Sequence, residues 1–406
     1  MPRDPARSLL PAFGGILGSS AVAQLLLFAS TPLLVASHDK DSFGVFGLAS
    51  IAAIALSTLL SLKLDHSLHL SPEPARLLGS CLQSILVGTL VLALPTLALV
   101  YLHGEWIVAL TLLFAATHAA WNTTLLQLNL RQRYRAIALQ NLLPPIVFVA
   151  GALSGDELGG VNALLFWQSV AYLVAALVGG WLIRHDVVFP PLASLPNVVS
   201  RHRDDVRYLV PGRLLQLLSS NVHVLGAAYL FGAELAGLVV VANRIARAPV
   251  RVLGDGMSNV LRAAIPRADA LSRTFVCIGA IAVTTALLAT AAVALVPESL
   301  YARFFGSDWA GLAPVLLVTT VAAGFQLLAG SVASLLAAYA KRTSFLLNLA
   351  LVSGGAAAFG LARSAELGLL PYLWLGCALS SAVHLGSFAL SLGIVRRRDR
   401  HTVPEL

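Results

Sequence analysis

Long runs of apolar residues separated by short polar turns organise this chain of 406 residues. Twelve runs can be placed, at residues 9–36, 43–62, 77–102, 106–129, 136–153, 161–183, 207–230, 235–262, 274–296, 309–340, 343–362 and 368–394. An α-helix needs about 20 apolar residues to cross the hydrocarbon core of a bilayer, whereas a barrel strand needs about half that number. A helix also satisfies its own backbone hydrogen bonds inside lipid. The pattern therefore predicts an all-α polytopic membrane protein with about twelve transmembrane helices.

The longest polar connection, at 186–206, contains three prolines and divides the runs into two sets of six. We therefore predict an N-terminal six-helix bundle at 1–185, a cytoplasmic linker at 186–206, a C-terminal six-helix bundle at 207–395 and a basic cytoplasmic tail at 396–406. Six helices return the chain to its starting side, so both bundles enter the membrane from the same side. Weak sequence likeness between 42–65 and 233–255 agrees with pseudo-symmetric halves.

The basic residues predict the orientation of the chain. Of the 27 lysines and arginines, 20 fall on one side of the predicted membrane, and only Lys40, Arg303 and Arg363 fall on the other. Positively charged turns stay in the cytoplasm, so both termini are expected there, in the cytoplasmic (inner) membrane. The basic side is expected to meet anionic lipid head groups. The first apolar run is too long for the core of a cleaved signal peptide, so no leader is expected.

Composition excludes several classes of protein. The chain is 58% hydrophobic and 11% charged, with a mean hydropathy of +0.83, which no soluble domain of this size matches. The net charge of +8 is spread along one membrane face, so we expect no nucleic-acid partner. The three cysteines have no metal-binding spacing, and no HExxH motif occurs. We therefore expect no catalytic residue, no metal and no cofactor.

One apolar run, at 235–265, carries charges on a single face. Arg244, Arg247, Arg251 and Asp255 follow at spacings of three, four and four residues, so they share one side of a helix. A charge near the bilayer centre costs about 2.5–3.5 kcal/mol even on the lenient insertion scale. Three arginines facing lipid would cost roughly 8–10 kcal/mol, and one carboxylate neutralises only one of them. The stripe therefore predicts a polar cavity.

Two places are candidates for moving parts. Pro249 interrupts the hydrogen bonds of the charged helix, and Gly254 and Gly256 weaken its next turn, so a hinge or a static bend is expected there. Lys63 and Asp65 lie at the cytoplasmic end of the second run. They represent either a solvated helix end, which the position favours, or part of a gate.

Short motifs in a fixed order extend over nearly the whole chain. They are Thr31–Leu34, Phe43–Phe46, Leu60–Asp65, Leu128–Arg131, Arg135–Ala138, Tyr208–Pro211, Phe231–Gly232, Ala236–Leu238, Ala242–Arg244 with Pro249, and Phe305–Gly311. Through these motifs the chain resembles the bacterial polysaccharide-biosynthesis flippases, which export lipid-linked oligosaccharides and belong to the multidrug/oligosaccharidyl-lipid/polysaccharide (MOP) superfamily. The lipid II flippases of that superfamily usually have fourteen helices and a basic residue in the first helix. This chain has twelve predicted helices, and its first apolar run contains no charged residue. The difference favours a surface-polysaccharide substrate.

The resemblance implies a MATE-like fold of two six-helix bundles around a cationic central cavity. It also implies a polyprenyl-diphosphate-linked oligosaccharide as substrate, with other polysaccharide-assembly membrane proteins as possible partners. Arginine stays charged and binds phosphate oxygens bidentately, so Arg213 and the stripe of Arg244, Arg247 and Arg251 with Asp255 are candidate head-group ligands. Amides suit sugar hydroxyls. The candidates in the apolar runs are Gln24, Asn122, Gln127, Asn129, Gln140, Asn141, Gln216, Asn221, Gln326 and Asn348, together with His223.

Several alternatives stay open. The arginines can form an ion-pair network with Asp255, Asp65 and Glu73, and the amides can join helices to one another. A MATE-like drug antiporter, coupled to H+ or Na+, would need a carboxylate in the membrane. A membrane glycosyltransferase or polymerase could use Asp39 and Asp41 in the first outer loop, although these acids fit better as a helix N-cap and turn.

Overall fold

The computed structural model describes residues 5–69, 71–154, 159–264, 268–309 and 311–402, and the regular structure in these ranges is helical. The α-helices, in chain order, are α1 (Pro5–Ser37), α2 (Lys40–Ser61), α3 (Pro74–His103), α4 (Trp106–Leu130), α5 (Tyr134–Ser154), α6 (Gly160–Ile183), α7 (Leu195–Arg201), α8 (Arg203–Ala264), α9 (Ala268–Leu295), α10 (Glu298–Phe305), α11 (Leu312–Tyr339), α12 (Lys341–Ser364) and α13 (Leu369–Thr402). The predicted all-α class is confirmed.

Each predicted apolar run corresponds to a helix or to half of one. The runs at 207–230 and 235–262 lie in α8, which is divided at Gly232, where φ is 87° and ψ is 172°. A side chain strongly disfavours such angles, so glycine allows the chain to leave the helix there. We refer to 203–231 and 233–264 as the first and second segments of α8. The short helices α7 and α10 were not predicted, because neither contains a long apolar run.

Nine helices in the described part of the chain are long and apolar enough to cross a membrane, with Val206–Gly254 counted as one despite its break. The apolar portion of α1, Ala21–Ser37, is shorter than these nine and is not counted among them. The 25-residue α4 is also not among the nine helices. Its polar side chains, which include His118, Asn122 and Gln127, make it less apolar than its neighbours. The difference from twelve therefore reflects one kinked helix and two helices below the criterion.

The outward surface is that of a multi-pass membrane protein. Along α3, Leu90 and Val91 are exposed, and Leu94 is 74% exposed, although all three lie in a strongly apolar helix. So large an apolar surface on a water-soluble protein would cause aggregation. In a bilayer the same side chains contact acyl chains at no such cost.

The chain divides into two compact units, Met1–Leu217 and Leu218–Leu406, which we call the N-terminal and C-terminal units. The division falls within the first segment of α8, beyond the linker predicted at 186–206. That stretch contains a 3-10 turn at Leu192–Ser194 and then α7. The assignment of 186–206 as a linker between two bundles stays a prediction.

Within the N-terminal unit, helices approach closely where one of them carries a small residue. α4 packs on α6, and α5 packs on both α1 and α6. A Cβ atom at Gly179 of α6 would lie 2.5 Å from Thr124 Oγ1 and 2.9 Å from Thr124 Cβ. Since a membrane gives no hydrophobic drive for helix association, such close packing supplies the van der Waals contact that holds these helices together.

The C-terminal unit is built in the same way. α11 packs on α9 and α13, and α12 packs on α13. Its apolar core includes Phe275, Leu327 and Leu335. The first segment of α8 joins α13 where Tyr372 covers Gly226, and the Tyr372 hydroxyl donates a hydrogen bond to the Val222 carbonyl at 3.2 Å.

The start of α2 is fixed by a capping carboxylate. Asp39 precedes the helix in an extended conformation, and its Oδ1 accepts a hydrogen bond from the Ser42 amide at 2.6 Å. This hydrogen bond lowers the pKa of the Asp39 carboxyl below its ordinary value of 3.8. The interpretation of Asp39 as an N-cap is therefore confirmed, and the carboxylate serves the helix start.

Substitution of adjacent glycines in α6 tests the close packing. We expect Gly179→Val to destabilise the protein by about 1–3 kcal/mol, because the new side chain would overlap Thr124. Gly180→Val is the matched control, since nothing lies within 4 Å of its Cβ position. Thermal unfolding of the two purified variants in one detergent checks this. Equal stabilities would contradict the proposed contact.

A second prediction concerns the cap of α2. Asp39→Ala should cost about 0.5–1 kcal/mol near pH 7, whereas Asp39→Asn should keep most of the cap. Because the folded pKa is depressed, the stabilisation by the charged cap is complete above the ordinary pKa and is lost as the pH falls through the folded value. Unfolding midpoints between about pH 7 and pH 3 should therefore converge for the natural chain and Asp39→Asn. A constant difference would refute the ionic part of the cap.

Candidate functional site

A polar cavity lies inside the C-terminal unit, among both segments of α8, α11, α12 and α13. Its volume is about 60 Å³. One water needs roughly 10–15 Å³ on this measure, so several waters or a small ion fit. The residues that line it are Ser219, Ser220, His223, Asn243, Arg247, Val318, Thr319, Ala322, Ala323, Gln326, Leu351, Leu373, Cys377, Ser380 and His384.

Arg247 supplies the fixed charge of the cavity. It lies in the second segment of α8, half-buried, and its Nη2 donates a hydrogen bond to the carbonyl of Ser220 in the first segment. Asn243, one helical turn earlier, lines the same cavity. The guanidinium thus connects the two segments on either side of the Gly232 break.

Two histidines face this guanidinium. His223 comes from the first segment of α8 and His384 from α13, and each lies within electrostatic range of Arg247. A Cβ atom at position 376 would lie 2.6 Å from His223 Nδ1, so Gly376 is what leaves room for the imidazole. On its other side His223 meets the ring of Tyr372, with centroids 6.4 Å apart. The imidazole is therefore held in place by packing.

The charge of the cavity is one-sided. None of the described residues that line it is an aspartate or a glutamate. Its hydrogen-bonding groups are hydroxyls and amides, such as Thr319, Ser380 and Gln326. An arginine in a low-dielectric site without a carboxylate attracts an anion strongly. The arrangement is therefore suited to a negatively charged group with polar substituents.

The N-terminal unit holds a second charged cluster around Asp65. This carboxylate is fully buried, accepts a hydrogen bond from Asn122 Nδ2 at 2.8 Å and lies 3.7 Å from Lys63 Nζ. Leu62 and Lys63, with φ values of 48° and 54°, turn the chain from α2 into the 3-10 helix Leu64–His69 that carries Asp65. The favoured interpretation of a solvated helix end is wrong for Asp65, because the turn directs it inward.

Arg213 completes the surroundings of Asp65. It interacts electrostatically with this carboxylate, and its Nη1 donates a hydrogen bond to Gln216 Oε1 at 2.8 Å. Both residues lie in the portion of α8 that belongs to the N-terminal unit. The structure therefore pairs the predicted residues Lys63 and Asp65, and it places the exposed Arg213 within electrostatic range of the same carboxylate.

The other predicted residues are distributed differently. Arg244 is half-buried but is not among the described residues that line the cavity, and neither are Gln24 and Asn221. α8 remains helical through 249–256, and its break is at Gly232, so a hinge at Pro249 or Gly254 stays a prediction. The side chains of four predicted residues lie outside the described part of the structure: Pro249, Arg251, Asp255 and Gly256.

Sequence reasoning missed His384 as a site residue. It is a single histidine in the last apolar run, and no spacing connects it with Arg247. Only the packing of α13 against the first segment of α8 brings it to the cavity. Asn243 carried a signal that could have been used, since it precedes Arg247 by four residues on one helix face.

Comparison with known proteins places this geometry in a structural class. No family model matches the chain, and no curated protein matches it. Solved structures do match it. An inward-facing multidrug resistance MATE family transporter of the MOP superfamily aligns with a TM-score of 0.63 and 15% identity, covering 98% of this chain and 96% of the other. An outward-facing structure of such a transporter aligns with a TM-score of 0.65 and 13% identity, covering 99% and 98%.

The lipid II flippase MurJ, in an inward closed conformation, also matches. Its TM-score is 0.63 at 14% identity, and the alignment covers 94% of this chain and 87% of MurJ. The chain therefore has a MATE-like fold over nearly its full length. The predicted fold class is confirmed, and the fold is one that both drug transporters and a lipid-linked flippase adopt.

The buried cluster gives a stability prediction. Asp65→Ala should destabilise the protein by about 3–5 kcal/mol, because Lys63, whose side chain is only 15% exposed, would keep its charge without the carboxylate. The control is Glu73→Ala, which removes an exposed pair with Arg76 at 3.1 Å and should cost less than about 1 kcal/mol. Thermal unfolding in detergent measures both. A mild effect of Asp65→Ala would mean that the cluster is solvated.

Proposed function

We propose that this protein is a flippase that carries a polyprenyl-diphosphate-linked oligosaccharide across the cytoplasmic membrane. The product would serve the synthesis of surface polysaccharide, lipopolysaccharide or exopolysaccharide. Transport would proceed by alternating access, with both termini in the cytoplasm and with no covalent bond made or broken. The MATE-like fold, which MurJ shares, supports a lipid-linked substrate without identifying it.

The observation that carries the proposal is that the Arg247 side chain lines a cavity together with hydroxyl, amide and imidazole groups. A guanidinium in a low-dielectric site interacts strongly with an anion. Here the guanidinium donates a hydrogen bond to the Ser220 carbonyl, which carries a partial negative charge. A phosphate oxygen is a stronger acceptor for the same donors. A diphosphate is therefore the partner that best completes this site.

The size of the cavity constrains how the head group enters. About 60 Å³ is too small for a diphosphate with its sugars. The site must therefore widen when the substrate binds. Arg213, Arg244 and Arg251, with Asp255, are proposed to supply further contacts along the path, and Gln24, Gln216 and Asn221 are candidates for sugar hydroxyls. The polyprenyl tail would remain in the lipid.

A MATE-like ion-coupled drug antiporter is the second candidate, and the fold likeness supports it equally. One observation favours it: Asp65 is a fully buried carboxylate whose Oδ1 accepts no hydrogen bond from the described residues. Such a group is the kind that a coupling proton or Na+ requires. Against it, Lys63 and Arg213 already compensate Asp65, and a cationic drug would be repelled by Arg247.

Replacing Arg247 tests the flippase proposal. Arg247→Gln removes the charge but keeps hydrogen-bonding capacity, so transfer of the lipid-linked glycan to the outer leaflet should fall at least tenfold. Arg303→Gln, an exposed position on α10, lowers the net charge equally and should transport normally. Leaflet-specific labelling of the glycan, normalised to protein level, gives the readout.

The outcomes separate the candidates. Export by Arg247→Gln at the level of Arg303→Gln would refute the diphosphate assignment. Ethidium efflux that survives Arg247→Gln but is lost in Asp65→Asn would establish the antiporter instead. Release of free polyprenyl diphosphate in vitro would indicate an enzyme.

A further inference from the structure

We propose that His223 and His384 form a proton-accepting pair that takes up a proton when an anionic group binds beside Arg247. This inference rests on the proposed function, because the anion is the diphosphate of the lipid carrier. The site then binds two ligands, the anion and a proton, and the proton is held by His223 and His384. Binding of the head group then depends on pH with a defined sign.

The geometry provides the first argument. The two imidazoles enter the same cavity from different helices, and Arg247 enters from a third direction. His223 lies within electrostatic range of both Arg247 and His384. Three nitrogen-bearing groups thus surround a space in which only small ligands now fit. A charge placed there acts on both imidazoles together.

The other groups facing the pair leave its charge to be decided by the ligand. Among the described residues, the other titratable side chains beside the histidines are Arg247 from the second segment of α8 and Cys377 and Tyr372 from α13. Among described residues, α11 and α12 contribute uncharged side chains, such as Thr319, Gln326 and Leu351. The Arg247 charge opposes a second positive charge nearby, whereas an anion beside Arg247 favours one.

The imidazole of His223 is poised for such a step. Its Nδ1 is buried and makes no hydrogen bond with the described residues. A buried polar nitrogen without a partner carries a desolvation cost, which a bound water, a proton or a ligand group relieves. Packing against Tyr372 and over Gly376 prevents the ring from turning away to find another partner. The ring is therefore fixed against α13 at the edge of the cavity that it lines.

Arrival of a diphosphate reverses the electrostatics. The head group brings two to three negative charges, of which Arg247 balances one, so a protonated imidazole becomes favourable. By linkage, the proton must strengthen anion binding as much as the anion strengthens proton binding. The coupling is positive, so this pair serves charge compensation. It does not suit an antiport in which proton and substrate compete.

Calorimetry with farnesyl diphosphate, a short soluble polyprenyl diphosphate, tests the inference on the purified full-length protein. Titrations near pH 7 in two buffers of different ionisation enthalpy give the number of protons taken up. The natural chain should take up about one proton more than the double variant His223→Gln/His384→Gln. Protons taken up by the ligand itself are the same for both proteins, so they cancel in this difference. As the pH falls from about 7.5 to about 6.5, the affinity of the natural chain for farnesyl diphosphate should rise up to about tenfold relative to that of the variant.

Control variants keep the result decisive. His185→Gln removes an exposed histidine that does not line the cavity and should retain the full proton uptake. If the double variant does not fold, each single histidine variant should show a reduced uptake, and unchanged uptake in both would overturn the inference. Binding with equal uptake in the natural chain and the folded double variant also overturns it. Failure of farnesyl diphosphate to bind the natural chain at any pH would instead refute the proposed function.

Discussion

The hydrogen bond from Arg247 to the Ser220 carbonyl shows the constraint under which this protein is built: a charge inside an apolar span must find its partner within the protein. Exposure of this guanidinium to lipid would cost several kcal/mol. The break at Gly232 allows α8 to fold back, so that a carbonyl of its first segment reaches an arginine of its second. The position of the cavity follows from this pairing, since the space beside the guanidinium is where α11 and α13 complete the enclosure.

The two units satisfy the same constraint in opposite ways. In the N-terminal unit, the buried Asp65 is surrounded by Asn122, Lys63 and Arg213, so the negative charge is compensated by groups already present. In the C-terminal unit, Arg247 lines a cavity together with His223 and His384, and the described lining of this cavity includes no carboxylate. A buried cluster of paired charges is suited to holding structure, whereas a cation that lines a cavity is suited to receiving a ligand. This difference is why the substrate proposal concerns the second unit.

The fold itself tolerates great sequence change. Identities of 13–15% with MATE transporters and MurJ still give TM-scores of 0.63–0.65, because lipid-facing positions require only apolarity and helix contacts require only small residues at the crossing points. Gly179 beneath Thr124 and Gly226 beneath Tyr372 are crossing points of this kind. Site residues are free to vary on such a scaffold, so the fold limits the class of protein without selecting its cargo.

The sequence by itself determined the helical class, the apolar runs, the Asp39 cap and the need for a polar environment around the arginine stripe. These follow from run length, helical spacing and the cost of charge in lipid, all of which are local properties. Only the tertiary structure decided that α8 breaks at Gly232, that Asp65 is buried, and that His384 joins His223 and Arg247 in one cavity. These features depend on which helices pack together. His384 lies 137 residues from Arg247 in the sequence, and nothing in its own apolar run indicates that the two residues meet.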